Sequence, residues 1–170
     1  RIPMAVQFLC TELKHSGSLA NGFMRLKHYF TPFQAFVVQQ TEDEKRKFAI
    51  ETALLVLERE AMYKSREPTP AGLFVYQFEV ISRNRLGYDD GLRAVENDPI
   101  FNENWQRYIE LVRRQIGVLD FADLIYWRSE FYVIDQRRHQ PDYTPSRIPL
   151  FGEKEGKIAR ASRGRDPLFL

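Results

Sequence analysis

Cys10 is the only cysteine in this 170-residue chain, so no internal disulfide can form. That suits a reducing compartment and sets the expectation of a cytoplasmic protein. Cys10 follows the apolar run of Val6, Phe8 and Leu9, where the sequence predicts a small buried hydrophobe rather than a nucleophile. Long hydrophobic runs are missing too. None approaches the roughly 18 residues a membrane-spanning helix needs, so no membrane partner is expected. Sustained strand-like alternation is absent, which argues against a sheet-based core. No secretory leader stands at the start. The chain opens at Arg1 without a methionine and closes on Leu168, Phe169 and Leu170, so a piece of a longer protein is expected and the missing leader weighs little.

Aromatic residues are abundant instead. Thirteen Phe, eight Tyr and two Trp make up 14% of the chain. Such rings fill a core or line a groove for a ligand or partner. Net charge is only +2, unevenly placed. Residues 1–135 carry seventeen Lys/Arg against nineteen Asp/Glu, and residues 136–170 carry eight against four. A mildly acidic body thus bears a basic tail.

Helical punctuation organises the body. Residues 4–13 form a short amphipathic segment, and Leu19, Phe23, Leu26 and Phe30 make one helical stripe. Thr31-Pro32 offers a cap and a first-turn proline for a short apolar helix. Thr41 and Glu44 have capping-box spacing, which predicts the longest helix over 42–65. Its apolar residues fall on two sides, Ile50, Leu54, Leu57 and Ala61 on one and Phe48, Leu55 and Met62 on the other, so it is expected to pack between neighbours. Thr69-Pro70 opens a helix over 71–85, with Gly87 as its stop. Asp89 or Asp90, Asn102 and Asp120 are candidate caps for three more. The last, over 121–138, is apolar nearly all round and is expected to be the central helix. Pro141, Pro145, Pro149, Gly152, Gly156 and Gly164 then forbid a continuous helix. The expectation is an all-α, bundle-like domain of seven or eight helices over 1–138. An irregular basic tail over 139–170 follows, packed on it through Ile148, Leu150 and Phe151.

Motifs of known chemistry mostly fail their own spacing. Gly152 and Gly156-Lys157 resemble a phosphate loop, but three residues separate the glycines where about four are needed, and Ile158 stands where Ser or Thr would hold magnesium. His15, His28 and His139 lie far apart, and none has a second histidine at helical spacing. Asp120 with Asp123, like Asp89 with Asp90, reads as first-turn acid that complements a helix dipole. Tyr88 to Pro99 echoes the end of a tetratricopeptide unit, yet a shift of about 34 residues aligns nothing further. No catalytic set emerges, and no cofactor or metal is expected.

Two clusters remain open. Asp123, Arg128 and Glu130 sit in the apolar run of 121–138, and Arg83 and Arg85 end another helix. They form either an internal ion-pair network or an anion or polar-ligand site ringed by Tyr76, Tyr126 and Trp127. In the tail, Lys154, Lys157, Arg160, Arg163 and Arg165 space positive charge as a phosphate-contacting arm for nucleic acid would. Glu153, Glu155 and Asp166 dilute that charge, and the arm could equally dock on its own acidic body.

Residues 73–87 (LFVYQFEVISRNRLG), 121–133 (FADLIYWRSEFYV), 150–168 (LFGEKEGKIARASRGRDPL) and 29–36 (YFTPFQAF) together resemble an uncharacterised family of bacterial helical proteins. The resemblance implies that the tail belongs to the protein, and it implies no activity. The functional expectation is a non-enzymatic helical interaction or adaptor module, with a protein partner or a second copy of itself. The alternatives are a small-ligand binder or unrecognised enzyme using Arg83, Asp123, Tyr126, Arg128 and Glu130, and nucleic-acid binding through the tail.

Overall fold

The computed structural model describes residues 2–163, which form ten α-helices and no β-strand. The all-α expectation therefore holds, while the expected seven or eight helices become ten. The chain forms two compact units divided between Ile109 and Glu110, within one helix.

The first unit begins with α1 (Ile2–Ser16), α2 (Leu19–Arg25) and α3 (Pro32–Thr41). Ser18 caps α2 by accepting from Asn21 N at 3.1 Å. Thr31 caps α3 in a capping box, in which Gln34 N donates to Thr31 Oγ1 and Thr31 N to Gln34 Oε1. α3 packs on α2, on α4 (Ile50–Lys64) and on α6 (Tyr88–Glu96), and it buries Phe33, Val37 and Val38 completely. This short apolar helix is thus the hub of the unit, a role the sequence assigned to residues 121–138. α5 (Pro70–Arg83), capped by Thr69 as expected, lies against α4 and α6. Gly87 does not stop α5. With φ of 92° it leads into α6, in a conformation that favours a residue without Cβ. α7 (Glu103–Gln115) starts where Asn102 Oδ1 accepts from Trp105 N at 3.0 Å. Trp105 and Tyr108 meet at 89° with centroids 5.6 Å apart, and both rings reach Phe74. Edge-to-face pairs of this kind add to the area they bury.

Three expectations in this unit need correction. Cys10 is exposed, because α1 packs on α2 and turns Ala5 and Leu9 inward instead. The helix expected over 42–65 begins only at Ile50, since Thr41 closes α3 by donating to Val38 O and Lys47 has φ of 53°. And α4 is covered on one side alone. Ala53, Val56 and Glu60 face inward, whereas Leu54, Leu55 and Met62 are 50%, 43% and 49% exposed.

The second unit holds the end of α7, then α8 (Phe121–Tyr126), α9 (Glu130–His139) and α10 (Glu153–Ser162). The single helix expected over 121–138 breaks at Ser129. Its hydroxyl donates to Tyr126 O at 2.7 Å, ending α8, and accepts from Tyr132 N at 3.1 Å, capping α9. The freed backbone of Arg128 and Glu130 pairs with Leu150 and Phe151. That pairing seats Phe151 in the core at 1% exposure and leaves Leu150 half-buried, while Ile148 stays exposed. The tail is irregular only as far as Gly152, after which α10 packs on α8 and α9. A Cβ on Gly156 would lie 2.2 Å from Ser129 Oγ and 2.7 Å from Phe131 Cβ, so only glycine lets α10 approach the break. No described helix is long and apolar enough to cross a membrane.

Candidate functional site

The residues singled out by sequence are divided between the two units. Arg83 lies in the first unit, exposed and paired with Glu79 one turn back. Tyr76, also there, donates to Val56 O at 2.9 Å, and burial pushes its hydroxyl up to about 12. Asp123, Tyr126, Arg128 and Glu130 belong to the second unit. Arg128 donates to Ile148 O at 3.1 Å, Glu130 is exposed, and Trp127 is 41% exposed.

Asp123 and Tyr126 meet the tail instead. Arg163 pairs with Asp123, and Arg160 pairs with Asp135. Tyr126 donates to the same Asp135 oxygen at 2.6 Å, and Arg138 approaches the other at 3.4 Å. Burial first, and then this hydrogen bond, hold the Tyr126 hydroxyl up at about 12. The bond from Tyr126 and the flanking guanidiniums hold the Asp135 carboxyl below the usual range. Arg160 and Arg163 also lie 5.9 and 5.7 Å from the Tyr126 ring centroid, at cation–π distance. Lys157 pairs with Glu153 at 2.9 Å and lies 5.7 Å from the Phe131 ring. Each of these three tail cations thus has a carboxylate within its own unit. Arg165, Leu168 and Phe169 lie outside the described residues.

Sequence reasoning missed two features of the first unit. One is a buried polar network. Glu60, fully enclosed, accepts from Gln34 Nε2 at 2.8 Å and from Gln77 Nε2 at 3.2 Å. Lys64 bridges it to Asp98, with Nζ 3.4 Å from Glu60 Oε1 and 2.9 Å from Asp98 Oδ2. The signal was present: Glu60 falls on the Ala53–Val56 side of α4, with Lys64 one turn on. The network leaves one buried atom, Gln77 Oε1, without a hydrogen-bond partner among the described residues, and it arranges no nucleophile beside a base. Among the described residues no group of three or more His, Cys, Asp or Glu could hold a metal ion.

The other is a groove of about 1180 Å³ lined by α2, the α2–α3 loop, α3 and α6. Its floor is apolar, built from Phe23, Phe30, Ala35 and Phe36, with the Phe23 and Phe30 rings 4.0 Å apart. Glu42 braces the wall by accepting from Ala20 N at 2.9 Å and Ser18 Oγ at 2.7 Å. On the rim, Asp43 and Arg46 satisfy each other at 3.5 Å, and Arg46 donates to Arg85 O. Lys27, His28 and Tyr29 on the loop side, and Asp90 on the α6 side, are exposed and form no salt bridge among the described residues. The sequence showed these rings as a helical stripe, and only the turn at residues 26–31 opens a groove beside them. The groove offers shape and apolar area with charge at its edges.

No protein-family model matches this chain, and no curated protein or solved structure is significantly similar to it, so the site is read from its own chemistry.

Proposed function

We propose that this protein is a non-enzymatic interaction module whose groove between α2, α3 and α6 receives a peptide segment of a partner protein. One observation carries the reading. At about 1180 Å³ the groove exceeds the roughly 300–1,000 Å³ typical of small-molecule sites, and its floor is aromatic. An amphipathic segment fits such a surface by seating apolar side chains at helical spacing. Lys27 on one wall and Asp90 on the other favour a segment with a carboxylate at one end and a cation at the other. The two other readings draw less support. Asp123 and Tyr126 engage Arg163 and Asp135, and Lys157, Arg160 and Arg163 have acidic partners.

The test is a fluorescence-anisotropy screen of amphipathic peptides about 12 residues long, with Leu or Phe anchors at helical spacing and either order of end charges. Peptides of one charge order are expected to bind. Ala94→Trp, which fills the groove from α6, is expected to abolish binding without unfolding the chain. If no peptide binds while a metabolite or an oligonucleotide raises the melting temperature, the proposal fails.

A further inference from the structure

α4 carries a second surface, independent of the groove. At 3.6 residues per turn, Glu51, Leu55, Glu58 and Met62 fall within about 60° of arc on its outer side. Leu54 and Ala61 flank them on one edge and Arg59 on the other, and all of these residues are exposed. Leu54, Leu55 and Met62 are the apolar residues that led the sequence to predict a helix packed between neighbours, and the chain leaves them open. Among the described residues none of Glu51, Glu58 or Arg59 is in a salt bridge, so the charges along this strip stand open to a partner of opposite sign.

The order of those charges selects the occupant. The strip reads acidic first, with Glu51 and Glu58, and then basic, with Arg59. Against a parallel copy Glu51 would meet Glu51 and Glu58 would meet Glu58, like charge on like. Turned antiparallel about a two-fold axis between Glu58 and Arg59, the same strip becomes self-complementary. Leu55 then faces the second copy's Met62, and Glu58 faces its Arg59. Every contact occurs twice, as a two-fold interface requires. We propose that α4 is a homodimerisation face, pairing antiparallel with α4 of a second copy through Leu55 and Met62, in a register set by Glu58 and Arg59. The helix is only about 22 Å long, less than a large obligate interface needs, so the dimer is expected to dissociate in the micromolar range.

Sedimentation equilibrium of the full chain across a concentration series tests this. A monomer–dimer equilibrium is expected. Leu55→Asp, at an exposed position, should raise the dissociation constant at least tenfold while the circular dichroism spectrum stays unchanged. Glu58→Arg alone should weaken the dimer, because Arg would face Arg at both ends of the axis. Adding Arg59→Glu should restore it, since the pairing returns with the signs exchanged. A chain that stays monomeric at several hundred micromolar overturns the proposal. So does a dimer indifferent to Leu55→Asp, or a double variant that fails to recover.

Discussion

Glu60 in the first unit and Asp135 in the second are both carboxylates withdrawn from water, yet their partners differ in kind. Glu60 is fully enclosed and held by two side-chain amides and one lysine from its own and neighbouring helices. Asp135 sits at an edge, held by a tyrosine hydroxyl and by arginines whose side chains are about half exposed or more. Enclosure makes a carboxylate intolerant of losing a partner, because nothing replaces the lost bond. At an edge, water substitutes and salt screens. The first arrangement ties α3, α4 and α5 together. The second fastens α10 to α8 and α9.

Breaking the enclosed network should cost most. Glu60→Ala leaves the Gln34 amide without its acceptor and the Gln77 amide with only its longer bond to Asp98, and about 3 kcal/mol of stability should be lost in urea unfolding. Gly156→Ala comes next. It forces α10 off Ser129 and should cost about 2 kcal/mol, seen as earlier hydrogen exchange in residues 153–162. Tyr126→Phe removes one hydrogen bond to a charged acceptor, for roughly 1.5 kcal/mol. Smallest of all, Arg163→Ala should cost under about 1 kcal/mol and lose even that in high salt, whereas the penalty of Glu60→Ala should persist there.

Acid sharpens the same contrast. The folded Asp135 carboxyl lies below its ordinary value, so its contribution to stability is complete above about pH 4 and is lost as pH falls through the depressed value. In Tyr126→Phe the largest cause of that depression is gone. The acid-induced loss should therefore be shallower than in the parent chain. At the alkaline end the sign reverses. Tyr126 and Tyr76, both raised to about 12, add stability below about pH 10 that is lost as pH climbs through the raised values.

Local chemistry was legible in the sequence at four caps, whereas Thr41 and Asp89 or Asp90, also read as caps, start no helix. Thr31, Thr69, Asn102 and Asp120 cap as their types and positions imply. What escaped depends on residues distant in the chain. Ser129 lies in an apolar run that reads as one helix, and it becomes a break because residues 150–151 arrive to pair with the backbone it frees. Glycines that look like helix breakers in the tail include Gly156, which is there so that α10 can approach closely. Glu60 and Asp98 were not singled out, because what joins them is Gln77, seventeen residues from the first and twenty-one from the second. The groove escaped for the same reason, since its floor and its α6 wall lie far apart in sequence.

The claim that recognition belongs to the first unit is tested most directly by a hydrogen-exchange footprint with a bound amphipathic peptide. Slower exchange confined to residues 23–46 and 90–99, with 121–163 unchanged, is the predicted result. Protection that appears on α8 to α10 and leaves the groove segments untouched would contradict it.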